Sequence, residues 1–133
     1  MISFLLDTHI LVWWLLGVKR LTAAQSHVLK DIESNRQSVA LSAMSLRELA
    51  KLIQDRWFEV DATLEAWLDV VESHPLISVI PITAKVAAES VKLGADFPRD
   101  PADQIIVATA RCHGLTLITA DDAIRKWGRV SLL

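Results

Sequence analysis

The sequence predicts an α/β protein, a three-layer α/β/α sandwich built on a parallel sheet of about five strands. Three observations predict it. Short uncharged runs rich in Ile, Leu and Val recur along the chain, as strands covered on both faces require. Stretches with apolar residues three and four apart lie between those runs, as crossover helices require. The 133 residues, 52% of them apolar, fit one domain spanning 1–133 and leave no room for a second core.

The elements follow in order. Ile2 to Leu6 reads as a buried strand ended by Asp7-Thr8, and the apolar run from His9 closes at Gly17 as a helix with a C-terminal glycine. Thr22 caps a helix to Asn35 whose apolar positions are Ala24, Val28, Leu29 and Ile32; Gln37 to Ser42 is a second strand. Ser45-Leu46-Arg47-Glu48 has the form of a capping box opening a helix to about Asp55. Asp61 to Ser73 is a further helix, broken by His74-Pro75, and Ile77 to Pro81 a third strand. Thr83 to Leu93 is amphipathic. Asp100-Pro101 starts a helix that Gly114 ends, with Asp100 as cap and Pro101 in its first position. Leu115 to Ile118 is a fourth strand, Ala120 to Trp127 a short helix, and Val130 to Leu132 a final strand.

Composition bounds the function. Only four Gly and four Pro exclude collagen-like and disordered chains. Fourteen Lys and Arg against sixteen Asp and Glu give a net charge of −2, so a polyanion would have to meet a local basic patch. Cys112 stands alone; it makes no internal disulfide and builds no thiolate metal site, which suits a reducing, cytoplasmic setting. Ile2 to Val18 is apolar, yet Asp7, Thr8 and His9 cut it to about half the roughly 20 residues of a spanning helix. No membrane association is expected. A mean hydropathy of +0.33 suggests that a second chain covers some apolar surface.

The carboxylates carry the chemistry. Asp7 follows the first strand, Glu48 lies near the start of the helix after the second, Asp103 in the first turn of the helix before the fourth, and Asp121 after the fourth; Asp100 precedes Asp103 by three. Singly, each suits helix capping or a helix dipole. Together they converge on the crevice at the C-terminal strand ends, where open α/β proteins place their sites. Carboxylates gathered there repel one another and call for a cation. Oxygen-only ligands suit Mg²⁺ or Mn²⁺, and such ions support phosphodiester hydrolysis.

Leu5-Leu6-Asp7-Thr8-His9, Ser42-Ala43-Met44-Ser45-Leu46-Arg47-Glu48-Leu49, the run from Arg99-Asp100-Pro101-Ala102-Asp103-Gln104 to Ala110, and Leu117-Ile118-Thr119-Ala120-Asp121 resemble the successive motifs of PIN-domain ribonucleases of the VapC toxin type. The resemblance spans essentially the whole chain. It implies a PIN-like fold and a Mg²⁺- or Mn²⁺-dependent endoribonuclease, the toxin of a toxin–antitoxin pair, homodimeric and held inactive by a VapB-type antitoxin. Residue by residue, it implies a catalytic, metal-binding quartet of Asp7, Glu48, Asp103 and Asp121, with Asp100 as a further candidate ligand. Asp121 is preferred to Asp122 by its spacing from Thr119, the hydroxyl residue of that motif.

Thr8, Arg99 and Thr119 are candidate substrate-binding residues, Arg99 through a phosphate. His9 reads first as a packing residue. Arg47 and Lys51 form a solvated helix face, and Trp13, Trp14 and Trp67, at apolar helical positions, belong to the core or to a subunit interface. Two other acid-bearing classes fit less well. A phosphoacceptor receiver needs a lone Asp at the end of its third strand, where Ile80-Pro81-Ile82 stands; an aspartyl phosphatase needs an acid two residues after Asp7, where His9 stands. The alternative function is a non-catalytic PIN-like module that binds RNA or protein.

Overall fold

The computed structural model describes residues 1–133. Four parallel strands, β1 (Phe4–Leu6), β2 (Val39–Ser42), β3 (Ile77–Ile80) and β4 (Thr116–Ile118), form one sheet in the order β3-β2-β1-β4. Seven helices accompany them: α1 (Thr8–Leu16), α2 (Ala23–Ser34), α3 (Ala43–Gln54), α4 (Leu64–Glu72), α5 (Ala84–Ser90), α6 (Pro101–His113) and α7 (Asp122–Trp127).

Register sets the layers. Leu5 pairs with Ala40 and Leu117, and Leu6 with Leu41 and Ile118. Because successive side chains point to opposite faces, Leu5, Ala40 and Leu117 join a core cluster with Ile106, Val107 and Ile124, from α6 and α7. Leu6, Leu41 and Ile118 join the other, with Ile10, Leu11, Leu29 and Leu49 of α1, α2 and α3. The sheet is thus covered on both faces, which explains why its strands read as unbroken apolar runs rather than alternating ones. Gly17 and Gly114, with φ of +67° and +62°, close α1 and α6 in the left-handed conformation that favours glycine.

Two expectations are corrected. The sheet has four strands, and the fifth, expected over Val130 to Leu132, shrinks to one parallel bridge between Leu132 and Leu117. Leu117 N donates to Ser131 O and Leu133 N donates to Leu117 O, which makes a single bridge and no ladder. The third helix starts at Ala43 rather than at Ser45: Ser42 is its cap, its hydroxyl accepting from Met44 N at 3.1 Å. That shift releases Ser45 and Glu48 from a capping box and turns them toward α1.

Strand order places the site. The chain runs outward from β1 through β2 to β3, then returns to β4 on the other side of β1. The crevice at such a switch point opens outside the carboxyl ends of β1 and β4.

Candidate active site

Four chain segments end at that crevice. Asp7, directly after β1, caps α1, its Oδ1 accepting from Thr8 N at 2.8 Å. Asp121, after β4, caps α7 by accepting from Ile124 N at 2.9 Å. Asp100 caps α6, its Oδ1 accepting from Ala102 N at 2.9 Å and Asp103 N at 3.3 Å; Asp103 stands in that helix's first turn. Glu48 comes from α3. All five acids line one cavity of about 260 Å³, together with His9, Trp13 and Ala120. Capping and convergence are therefore compatible: Asp100 and Asp121 each give one carboxylate oxygen to a helix end and keep the other free of hydrogen bonds.

Hydroxyls behind the cavity fix two of the acids. Thr119 donates to Asp7 Oδ2 at 2.6 Å and accepts from Asp121 N at 3.0 Å, tying the first acid to the last. The Thr119 carbonyl accepts from Gln25 Nε2 at 3.3 Å and Arg125 Nη1 at 3.2 Å, so α2 and α7 hold this turn. Thr8 donates to Glu48 Oε1 at 2.5 Å and lies 2.9 Å from Ser45 Oγ. Thr8, Thr119, Ser45 and Gln25 are all buried. Thr8 and Thr119, the candidate substrate-binding hydroxyl residues, donate to the carboxylates of Glu48 and Asp7. Arg99 is exposed beside Asp100 and is not among the residues lining the cavity. Asp122 is exposed and also outside the lining, in contrast to Asp121.

Electrostatics set this cavity apart. The ion pairs of the fold, His27 with Asp31, Lys51 with Asp55, Arg111 with Glu89 and Arg129 with Asp96, involve none of its acids. Burial pushes Asp7 above the usual carboxylate range against the pull of the Thr119 and Thr8 hydrogen bonds. Glu48 is raised by burial, opposed by the Thr8 hydrogen bond and reinforced by Asp7 and Asp100. Asp103 is pushed up to about 7, first by burial and then by Asp100, Asp7, Asp121 and Glu48 in turn. The N-termini of α1 and α6 offset part of this negative charge.

Does the donor set suit a divalent cation? Five carboxylates, one His and no Cys line the cavity, a predominantly oxygen set that fits Mg²⁺ or Mn²⁺ and not a structural Zn²⁺. The acids line the cavity wall without three of them closing on one point. Buried acids raised by one another are the groups that a cation would relieve.

Ser45, Gln25 and Trp13 went unrecognised as parts of the site. For Ser45 the signal was present but misassigned to helix capping. Gln25 carried no signal, since its role depends on a contact with the carbonyl of Thr119, far along the chain.

A parallel α/β sandwich with a cation-seeking carboxylate cavity at its switch point defines the class of protein. The family follows: the PIN domain model matches residues 4–130, and the chain belongs to the PIN-domain family. It is 35% identical over 125 residues to Ribonuclease VapC22 of Mycobacterium tuberculosis, covering 94% of this chain and 92% of that protein. Among solved structures it is similar to VapBC2 from Rickettsia felis bound to a promoter DNA fragment. That likeness has a TM-score of 0.71 and 20% identity, covering 100% of this chain and 98% of the other. It is also similar to VapC20 of Mycobacterium tuberculosis, a sarcin-ricin loop cleaving toxin, with a TM-score of 0.67 and 18% identity over 95% of each chain. These structural likenesses bear on the fold. No helix is long and apolar enough to cross a membrane.

Proposed function

We propose that residues 1–133 form a single divalent-metal-dependent endoribonuclease domain, the toxin member of a VapBC-type pair. One observation carries the reading: five carboxylates from four chain segments line one cavity with no side-chain cation paired to them. The ribonuclease that is 35% identical to this chain supports the activity. The VapBC structures from Rickettsia felis and Salmonella typhimurium and a toxin–antitoxin complex from Klebsiella pneumoniae, all similar in fold, support a VapB-type antitoxin as partner.

Asp7, Glu48, Asp103 and Asp121 would hold Mg²⁺ or Mn²⁺, with Asp100 as a fifth acid of the same cavity. When bound, such an ion activates water and stabilises charge on a phosphodiester undergoing in-line hydrolysis. The chain's own residues prepare the site. Thr119 fixes Asp7 and, through its contact with Asp121 N, sets the distance between the two acids that flank β1 and β4. Thr8 and Ser45 brace Glu48 against α1. Arg99, exposed at the rim, meets a phosphate of the RNA. Hydrolysis by this route leaves a 3′-hydroxyl and a 5′-phosphate. A homodimer is supported by the mean hydropathy of +0.33 together with the exposure of apolar Trp57, Val70 and Val91. A single cysteine suits a cytoplasmic setting.

The test is incubation of total RNA with purified protein in Mg²⁺, Mn²⁺ or EDTA, comparing wild type with Asp7→Asn and sequencing new 5′ ends. Metal-dependent cuts at defined positions, absent from Asp7→Asn, are expected. Intact RNA with folded, partner-free wild type would favour a PIN-like binding module instead.

A further inference from the structure

The first and last acids both depend on Thr119, whose hydroxyl donates to Asp7 Oδ2 at 2.6 Å and accepts from Asp121 N at 3.0 Å. The backbone of Thr119 stands outside the sheet. β4 ends at Ile118, whose carbonyl accepts from Asp7 N at 3.0 Å, and the next carbonyl, that of Thr119, lies beyond the ladder. Two side chains hold it instead, Arg125 Nη1 at 3.2 Å and Gln25 Nε2 at 3.3 Å. They are unequal. Arg125 is exposed and shares the same Nη1 with the Leu133 carbonyl at 2.9 Å, whereas Gln25 is buried and its bond is shielded from water.

Both ends of the Gln25 amide are committed. Its Oε1 accepts from Thr22 N at 3.0 Å in the capping box that opens α2. A backbone N–H needs an oxygen, so the amide nitrogen is the end turned to Thr119. The cap alone asks only for that oxygen, and a Glu serves a capping box as readily as a Gln. A donor at the second end answers to the Thr119 carbonyl. We propose that Gln25 is a positioning residue for the cation site: through the Thr119 carbonyl it fixes the turn after β4 and with it the spacing of Asp7 and Asp121. α2, which contributes no acid to the cavity, is thereby part of the site's frame. The proposal rests on the metal-dependent reading, and it places the effect of Gln25 on affinity for the ion, because ligands that must first be ordered bind more weakly.

The test is Mn²⁺ binding to the full chain, read by electron paramagnetic resonance as loss of the signal of the free aqueous ion. No RNA is needed. Gln25→Met keeps the side chain's length and removes the amide; it should weaken Mn²⁺ binding about tenfold, as loss of a group that orients metal ligands does. Thr22→Ala removes the hydroxyl that accepts from Gln25 N and leaves the Thr119 contact in place. It loosens the same helix start and should keep wild-type affinity. Should Gln25→Met fail to fold, wild type decides by NMR. On titration with Mg²⁺ the Gln25 side-chain amide should shift with the same midpoint as the Asp7 and Thr119 backbone amides, while those of the exposed Gln37 and Gln54 stay fixed.

Unchanged Mn²⁺ affinity in Gln25→Met, an equal loss in Thr22→Ala, or a Gln25 amide that stays fixed would overturn the proposal. Wild type that takes up no Mn²⁺ overturns it together with the metal-dependent reading. Mn²⁺ bound by wild type and weakened in Gln25→Met, with no RNA cleaved, upholds it and defeats the nuclease reading alone.

Discussion

Replacing Asp103 by Asn should stabilise the metal-free protein while removing its activity. Asp103 ionises at 3.8 in an unfolded chain and at about 7 in the folded one. Below pH 3.8 both states carry the proton and the carboxyl contributes no penalty. Between 3.8 and about 7 the folded chain binds the proton and the unfolded chain does not, so stability falls as pH rises. Above about 7 the penalty is full. Three pKa units at 1.36 kcal/mol each would amount to about 4 kcal/mol. Asp103 is half-buried, so solvent screening reduces this to about 1–2 kcal/mol. For a domain of this length that is roughly 3–10 °C in melting temperature.

The assay is urea denaturation in EDTA at pH 8 and pH 4, with the exposed neighbour Asp122→Asn as control. Asp103→Asn should gain its increment at pH 8 and almost none at pH 4, and Asp122→Asn should change at neither. Added Mn²⁺ should then stabilise wild type by mass action and the variant much less. A variant no more stable than wild type at pH 8, or equally stabilised at both pH values, would refute the claim that uncompensated charge in the cavity strains the metal-free fold.

Thr119→Val removes the hydroxyl that donates to Asp7 and should destabilise the protein by about 1–3 kcal/mol. The same loss raises Asp7 further, because that bond holds its carboxyl down; the acidic limb of the pH–rate profile should move to higher pH, and Thr119→Ser should restore it. Leu41→Ala, in the fully buried centre of β2, should lower stability in urea by about 2–5 kcal/mol. Gly114→Ala forces a left-handed φ of +62° onto a residue with a Cβ and should cost about 1 kcal/mol in thermal melts.

The fold was legible because its strands are buried on both faces. A run such as Phe4-Leu5-Leu6 needs no polar side and announces a parallel sheet, and Asp7 then marks its end. The acids were legible for the same reason: strand ends and helix starts are local features, and Asp100-Pro101 encodes its own cap. Boundaries at β2 were not. Ser42 and Ser45 both satisfy a cap at the level of residue type, and the choice between them depends on Thr8 of α1 competing for Ser45 and Glu48. The last strand was not legible either: Leu132 has the apolar character of a strand, and residue type does not tell a full ladder from the one bridge it makes with Leu117. Trp13 illustrates a third limit: it packs on the core and lines the acidic cavity at once, and an apolar helical position signals only the first role.

Under the proposed function, the acids gathered from four segments act as one cation-dependent site for RNA hydrolysis. Its most direct test is the single-turnover cleavage rate of a defined RNA against Mn²⁺ concentration for wild type, Asp103→Asn and Asp122→Asn. Wild type and Asp122→Asn should rise to the same plateau, with Asp103→Asn flat near the uncatalysed rate at every concentration. Cleavage by Asp103→Asn at the wild-type rate, or by wild type undiminished in EDTA, would contradict the account.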